Sequence, residues 1–252
     1  MDKNFDSLAI RLENKIYGSE KGLIRFQLLK EDILEYCPGF TDGNWKILDA
    51  GGGTGRFSRF CASYGHKILH CDISQEMLQM AQKENEAEGL EDQIELIHSD
   101  LMSISEEKHG QFDLVLLHGV AEWMEFPVKS VSHCVELVKP GAIASLLIYN
   151  TNKYLLKRGV NGRLLVNDNP VKKKRKLTPT GKMTPGEITD ILSESKGEVL
   201  LKSGIRIFNN FLKIIDPLPI STDEWLEQER MYYRTEPFAS LGEHSHILWK
   251  KM

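Results

Sequence analysis

Glycines crowd into a short turn near residue 50, and this spacing is the first feature of the sequence that points to chemistry. The apolar run Lys46–Ala50 contains one acid, Asp49, and four glycines follow it at Gly51, Gly52, Gly53 and Gly55. Glycine tolerates positive φ angles, and without a Cβ it lets a ligand approach the main chain. A helical pattern begins at Arg56. The stretch predicts a strand, a tight turn and a helix start, which together hold a nucleotide-like group.

The glycine spacing narrows the kind of nucleotide. A dinucleotide fingerprint, G-x-G-x-x-G, read from Gly51 would need a third glycine where Arg56 stands. The pattern present is Asp-x-Gly-x-Gly-x-Gly, which resembles motif I of the class I S-adenosylmethionine-dependent methyltransferases. We expect Asp49, Gly51, Gly52 and Gly53 to bind the cofactor. A glycine-rich turn without a ligand is the alternative, and the flanking strand and helix disfavour it.

Other polar residues follow the next predicted strands, at the edge where such a sheet binds its ligand. Asp72 is predicted to accept the ribose hydroxyls, with an N-cap or turn aspartate as the alternative. Asp100, with the amides of Leu101 and Met102, is predicted to face an adenine edge, and a simple Asx turn is the competing interpretation. His118 has three interpretations: a cofactor contact, which we favour, a general base, or a packed core histidine.

Hydrophobic periodicity defines the elements that position these residues. Strand patterns alternate with helical ones, and a helix opened by Pro127 is expected to end at Pro140 and Gly141. The predicted strands are Lys46–Ala50, Lys67–Cys71, Ile94–Ile97, Phe112–Leu117, Ala142–Tyr149, Val199–Phe208 and His246–Trp249. The pattern predicts a doubly wound, mostly parallel seven-stranded α/β sheet, a Rossmann-like class I methyltransferase fold whose last strand runs antiparallel. We expect one domain over 1–252, with an N-terminal helical cap at 1–40 and an insertion at 150–182 after strand 5.

Composition excludes several classes of protein. Hydrophobic residues make up 41% and charged residues 27% of the 252 residues, as in globular enzymes. Because no apolar run approaches about 20 residues and the first residues lack a signal-peptide pattern, we expect a cytoplasmic protein without a membrane partner. The four cysteines are scattered, and the eight histidines lack ligand spacing, so no metal site is predicted.

Charge is segregated along the chain. The net charge of −4 argues against a nucleic-acid partner, but ten Lys or Arg face a single acid, Asp168, between Lys153 and Lys182. Such a run is usually a solvated loop. With aromatic residues near it in sequence, phosphate contact becomes the favoured interpretation for Lys172, Lys173, Lys174, Arg175 and Lys176.

A set of short stretches resembles one methyltransferase family over nearly the whole chain. The stretches are Asn14–Arg25, Leu48–Gly55, His118 with Glu122–Trp123, Ile148–Asn150, Lys172–Pro179, Ser203–Phe208, Glu236–Pro237 and Leu241–Gly242. Only the glycine turn among them is shared by methyltransferases at large. Together they resemble the tRNA 5-carboxymethoxyuridine methyltransferase family. One departure is Ala142 after Pro140 and Gly141, where a second glycine is usual.

The resemblance implies transfer of a methyl group from S-adenosylmethionine to the carboxylate of 5-carboxymethoxyuridine at a tRNA wobble position, giving the methyl ester. It implies the anticodon loop as partner. The cofactor contacts implied are Arg25, Gly51, Gly52, Asp72, Leu101, Met102 and His118. The resemblance thus assigns Arg25 to the methionine carboxylate of the cofactor, because a guanidinium can donate two hydrogen bonds to a carboxylate.

A carboxylate nucleophile changes what the site needs. With a pKa near ~4 it is ionised at neutral pH, so no general base is assigned. Donors must hold the substrate carboxylate, and the candidates are Tyr149, Asn150, Arg175 and Arg206. Two other functions stay open: a class I methyltransferase of a small-molecule acid or metabolite, and a non-catalytic, cofactor-dependent tRNA-binding module. The oligomeric state is also open.

Overall fold

A seven-stranded sheet forms the centre of the computed structural model, which describes residues 2, 4–6, 9, 13, 18–162, 183–208 and 220–252. The strands are β1 (Lys46–Ala50), β2 (Lys67–Asp72), β3 (Ile94–His98), β4 (Phe112–His118), β5 (Val138–Tyr149), β6 (Gly197–Ile205) and β7 (His244–Lys251). Their order is β3-β2-β1-β4-β5-β7-β6. The pairs from β3 to β5 are parallel, and β7 is antiparallel to both β5 and β6. The predicted sheet with an antiparallel last strand is confirmed.

Helices cover both faces of this sheet. The α-helices are α1 (Glu20–Tyr36), α2 (Arg56–Ala62), α3 (Gln75–Glu88), α4 (Glu106–His109), α5 (Pro127–Glu136), α6 (Thr151–Val160), α7 (Pro185–Glu194) and α8 (Thr222–Tyr232). Helix starts follow local signals: Ser74 accepts a hydrogen bond from the Met77 amide at the start of α3, and Thr184 forms a capping box with Glu187 at α7. No described helix is both long and apolar enough to span a membrane.

The central strand β4 shows why both faces must be covered. Val115 and Leu117 pack with residues of α5 and α7 in one buried cluster, whereas Leu114 and Leu116 pack with α1 and α2 in another. Side chains alternate between the faces of a strand, so an unbroken apolar run fits a strand that is buried on both sides. The interior of β4 therefore belongs to the core, and the polar His118 stands at its carboxyl end.

The start of β5 differs from the prediction. The helix that begins at Pro127 ends at Glu136, and β5 already begins at Val138. The pairing with β4 shifts register between Phe112 and Leu114, so Pro140 and Gly141 lie in an irregular part of the strand. A proline lacks the amide proton that a regular ladder needs, and here the irregularity tolerates it. The residues that signal a helix end in the sequence occupy a bulge within the strand.

Candidate active site

The glycine turn after β1 packs too tightly for any other residue. The Gly51 and Gly52 amides donate to the Cys71 carbonyl of β2 at 2.8 and 3.2 Å. Gly51 has a φ of +66°, and a Cβ on it would lie 2.7 Å from Val120 Cγ2. A Cβ on Gly52 would lie 2.8 Å from the Asp49 carboxylate. At Gly51 and Gly53 the main chain, without a side chain, therefore faces the cavity above the strand ends.

Asp49 is turned inward beneath the turn. Its Oδ2 accepts a hydrogen bond of 2.7 Å from Ser58 Oγ, which lies 3.0 Å from His70 Nδ1. Burial raises the pKa of Asp49 to about 6 and lowers that of His70 to about 4. The three side chains resemble a nucleophilic triad in composition, but all are buried and Ser58 stands in the middle. They support the turn from below.

Asp72 ends β2 with its carboxylate held by two main-chain amides. Oδ2 accepts from the Gly53 amide at 2.9 Å, and Oδ1 accepts from the Ser74 amide at 2.8 Å. Burial raises its pKa, and the two amides oppose that shift. A carboxylate has about four acceptor positions, so Asp72 keeps lone pairs for the cavity that it borders. Asp72 thus caps a turn and borders the cavity, and its contact with a ribose stays a prediction.

Asp100 adopts the Asx arrangement that competed with its adenine role. Its Oδ1 accepts from the Met102 amide at 2.8 Å and caps a short 3₁₀ turn. Asp100 and Leu101 both border the cavity, whereas the exposed Met102 side chain does not. The Met102 amide is thus engaged by Asp100. The adenine contact of Asp100 and Leu101 stays a prediction.

Two adjoining cavities lie over the strand ends. The main one encloses about 950 Å³ of space, including the part open to solvent, which suits a ligand of nucleoside size. The predicted residues that border it are Arg25, Gly51, Gly53, Asp72, Asp100, Leu101, His118 and Tyr149. The adjoining cavity shares Arg25, Gly51 and His118 and adds Asp49 and Gly52. Residues from four strands and α1 are therefore brought to one place.

The cavity also has walls that the sequence did not reveal. Phe5 borders it and meets Trp123 edge to face, with ring centroids 5.0 Å apart. Asp2 accepts from the Glu125 amide at 2.7 Å, and Asn4 donates to the Ile73 carbonyl at 3.1 Å. The N-terminal residues thus lie across the mouth of the cavity. Trp123 belongs to one of the family-like stretches, but no local signal links Phe5 to it.

His118 leaves β4 between the two cavities. Its Nε2 lies 2.8 Å from Ser145 Oγ, and its ring contacts Phe57 edge to face at 4.7 Å. Burial is the main reason that its pKa lies well below the usual range, and the positive charge of Arg25 adds to the effect. His118 is therefore neutral at neutral pH.

Tyr149 and Arg25 border the main cavity, and the charge of the buried Arg206 acts on Tyr149 although Arg206 borders neither cavity. The Tyr149 ring lies 4.4 Å from the His244 ring, and the Tyr149 amide donates to Glu122. Burial raises the pKa of Tyr149, while the charges of Arg25 and Arg206 act to lower it. The hydroxyl stays protonated at neutral pH and can donate. Arg206 is buried, and its Nε has no hydrogen-bond partner among the described residues.

The main chain at Arg206 is held in an uncommon conformation. Arg206 has a φ of +62°, which a residue with a long side chain rarely adopts. Glu229 accepts from the next two amides, Ile207 at 2.7 Å and Phe208 at 2.9 Å, and Lys153 Nζ donates to the Ile207 carbonyl. A buried carboxylate and a buried ammonium thus fix the segment that carries the guanidinium. Strain maintained by such support is typical of functional positions.

Asn150 borders neither cavity. Asn150 caps α6 by accepting from the Asn152 amide, and it donates to the Ser240 carbonyl at 2.8 Å, so its amide group already serves the fold. Lys172, Lys173, Lys174, Arg175 and Lys176 lie outside the described residues.

The donor set fits a nucleoside carrying an amino acid. Asp72 offers acceptors for hydroxyls, the turn offers close main-chain approach, and Arg25 offers a guanidinium for a carboxylate. Among the described residues, no three His, Cys, Asp or Glu side chains group so as to hold a metal.

Comparison with known proteins agrees with this geometry. A family model described as "Methyltransferase domain" matches residues 48–146. The tRNA 5-carboxymethoxyuridine methyltransferase of Escherichia coli (strain K12) is 31% identical over 252 residues, which cover 99% of this chain and 97% of the relative. A ubiquinone biosynthesis O-methyltransferase of Psychrobacter cryohalolentis is 30% identical, but over 42% of each chain.

Solved structures share the fold at lower identity. The magnesium protoporphyrin IX methyltransferase of Synechocystis PCC 6803 with bound SAH superposes with a TM-score of 0.65 and 16% identity, over 98% of this chain and 96% of that one. A structure of that enzyme with bound SAM gives a TM-score of 0.64, with 15% identity, and covers 98% of this chain and 93% of that one. The likeness supports the fold.

Proposed function

The chain belongs to the tRNA 5-carboxymethoxyuridine methyltransferase family, and on this premise we propose that it methylates the carboxylate of 5-carboxymethoxyuridine at the tRNA wobble position. The family uses S-adenosylmethionine. The observation that carries the proposal is the match along the full length of both chains, because it includes the segments outside the shared methyltransferase domain. The product is the methyl ester.

The reaction requires alignment of the substrate carboxylate with the methyl group, and it requires no proton transfer. When bound, S-adenosylmethionine supplies a methyl group on a positively charged sulfur. An oxygen of the substrate carboxylate forms the new C–O bond while the C–S bond breaks, and that electron pair stays on sulfur. Since the carboxylate is already ionised, no proton moves and no base is required. The protein contributes alignment and the exclusion of water.

Tyr149 and Arg206 are the side chains that we assign to the substrate carboxylate. Tyr149 borders the main cavity with a protonated hydroxyl, and the Arg206 charge acts on that hydroxyl. The Nε of Arg206 has no hydrogen-bond partner among the described residues, and its main chain is held in the left-handed conformation. A guanidinium that is fixed before the substrate binds needs both features. Arg25, which borders both cavities, is assigned to the cofactor carboxylate.

The basic run from Lys172 to Lys176 is assigned to tRNA phosphates. Its support is the charge pattern alone: ten Lys or Arg against one acid between Lys153 and Lys182, in a chain with a net charge of −4. A local cluster of cations is what binds a phosphate backbone. We assign the anticodon loop as the region that it contacts, because single-stranded bases there can leave the stack and enter a cavity.

Product formation on different acceptors tests this function. The protein is incubated with S-adenosylmethionine and tRNA that carries 5-carboxymethoxyuridine, the same tRNA without the modification, or free carboxylic acids. We expect S-adenosylhomocysteine to form only with the modified tRNA. Turnover of free acids without tRNA would indicate a small-molecule methyltransferase instead. Binding of cofactor and tRNA without product would indicate a binding module.

A further inference from the structure

A chain of buried hydrogen bonds connects helix α1 with the cofactor cavity. It runs from Asp32 on α1 through His246 on β7 and Ser145 on β5 to His118 at the end of β4. His246 Nδ1 lies 2.7 Å from Asp32 Oδ2, and Ser145 Oγ lies 2.8 Å from both His246 Nε2 and His118 Nε2. Asp32, His246 and Ser145 are each fully buried. Nothing in the proposed methyl transfer uses these three residues.

Asp32 determines where the proton on His246 lies. Its Oδ2 accepts from Ser203 Oγ at 2.6 Å, and its Oδ1 accepts from Arg234 Nε at 2.9 Å. Burial acts to raise the pKa of Asp32, but the hydrogen bonds from His246 and Ser203 and the positive charge of Arg234 outweigh it and lower the pKa. An ionised carboxylate only accepts, so His246 Nδ1 carries a hydrogen.

Arg234, rather than His246, is the cation that pairs with Asp32. Arg234 already compensates Asp32 in an ion pair, and its other anion, Glu35, is exposed and screened by solvent. A second cation at His246 would be buried without a counter-ion of its own, which is costly. Neutral His246 then presents Nε2 as an acceptor.

The Ser145 hydroxyl links the position of the hydrogen on His246 to the position of the hydrogen on His118. Its single hydroxyl hydrogen is donated to His246 Nε2, so Ser145 Oγ must accept from His118 Nε2. Neutral His118 therefore has its hydrogen on Nε2 and a lone pair on Nδ1. That Nδ1 is buried and has no hydrogen-bond partner among the described residues, while the ring borders both cavities.

We propose that Asp32, His246 and Ser145 are positioning residues that hold His118 in the Nε2-protonated tautomer, so that Nδ1 accepts a hydrogen bond from the amino group of the bound methyl donor. The inference rests on the cofactor site of the proposed function. An acceptor suits an ammonium group and does not suit a carboxylate. Arg25 and His118 would then distinguish the two charged ends of the cofactor's amino acid.

Nuclear magnetic resonance of the ligand-free protein with ¹⁵N-labelled histidine tests the tautomer without any variant. We expect His118 to show a protonated Nε2 and an unprotonated Nδ1, and His246 to show a protonated Nδ1 and an unprotonated Nε2. An imidazolium at His246, or a hydrogen on Nδ1 of His118, would overturn the proposal.

Ligand binding tests the consequence through Ser145→Ala, with Ser145→Thr as the variant that keeps the hydroxyl. For Ser145→Ala we expect affinity for S-adenosylhomocysteine to fall about five- to tenfold, the value of one hydrogen bond. Affinity for 5′-methylthioadenosine, which lacks the amino-acid part, should stay unchanged. Ser145→Thr should restore binding.

Equal losses for both ligands would show a merely structural role and would refute the proposal. No tRNA takes part in these measurements, so the outcome is independent of whether the protein methylates tRNA. If instead both predictions hold and modified tRNA gains no methyl group, the proposed function fails and this inference stands.

Discussion

At the scale of single residues, burial gives the polar groups of the site different tasks. Asp72 and Tyr149 border the main cavity and can bind a ligand, whereas the Asp49 carboxylate already accepts a hydrogen bond from the buried Ser58. Asn150 is an amide that serves as a helix cap. Residue type alone does not separate these tasks, because each depends on which neighbours have already satisfied the polar atoms.

Asp49→Asn should change how stability depends on pH. Burial raises the pKa of Asp49 from 3.8 to about 6, so its contribution to stability is present below pH 4 and is lost as the pH rises through 6. Asparagine does not ionise and can still accept from Ser58. We expect the ligand-free variant to gain up to about 3 kcal/mol relative to wild type between pH 4 and pH 7.

Urea unfolding at pH 4 to 7 measures this difference. The exposed Asp92→Asn is the control and should give a difference that does not vary with pH. A constant difference for Asp49→Asn would contradict the buried, titrating carboxylate.

Arg206→Ala should lower ester formation on modified tRNA. Loss of a charged donor to a carboxylate costs about 2 kcal/mol, so we expect kcat/KM to fall about 30-fold or more while affinity for S-adenosylhomocysteine stays unchanged. Arg206→Lys should recover part of the activity, because it keeps the charge but not the planar fork. Arg230→Ala, whose guanidinium pairs with Glu31 outside the cavities, is the control. Wild-type activity in Arg206→Ala would remove Arg206 from the site.

At the scale of elements, the strand ends supply the floor of the site and the chain's N-terminal residues supply part of its cover. Asp2, Asn4 and Asp6 bond to loops on the cavity rim, and Phe5 packs on Trp123. The strand ends are part of the sheet, whereas the described N-terminal residues reach the rim through these polar contacts and the packing of Phe5. Segments held by few contacts open more easily than core strands.

Phe5→Ala should weaken cofactor binding. An aromatic pair contributes about 0.5–1.5 kcal/mol, so we expect affinity for S-adenosylhomocysteine to fall about three- to tenfold. Isothermal titration calorimetry measures it, and the exposed Phe126→Ala serves as the matched control. An unchanged affinity in Phe5→Ala would show that the N-terminal residues do not cover the bound ligand.

Local patterns account for most of the fold that the sequence predicts. The strands, the glycine turn and the Ser74 cap each depend on residues that are neighbours in sequence, and all are present in the structure. The predicted end of α5 is wrong because Pro140 and Gly141, which signal a helix end, here occupy a bulge. The hydrogen bond from His246 to Asp32 spans 214 positions. No periodicity predicts such a contact, and the same is true of Phe5 on Trp123.

At the scale of the whole molecule, charge separates the methyl donor from the acceptor. The net charge is −4, although the stretch from Lys153 to Lys182 is strongly basic. Such a distribution lets one region attract a polyanion while the rest of the surface repels it. In the proposed function, the glycine turn and the basic run therefore bind different ligands.

Salt should weaken tRNA binding steeply. Replacing Lys172, Lys173 and Lys174 by Gln should reduce the slope of log K against log salt by up to about 0.7 for each phosphate that is no longer neutralised. The exposed Lys83→Gln and Lys108→Gln are controls and should leave the slope unchanged. Fluorescence anisotropy with labelled tRNA measures the slopes, and a flat salt response in the wild type would contradict phosphate binding by this run.

Nucleoside mass spectrometry of tRNA carrying 5-carboxymethoxyuridine, incubated with the protein and S-adenosylmethionine, tests the central claim most directly. We predict that this nucleoside alone gains the mass of one methyl group, and that mild alkali removes the gain because an ester hydrolyses. Omitting S-adenosylmethionine is the control. No gain in mass, or a methyl group that survives alkali, would contradict methylation of the carboxylate.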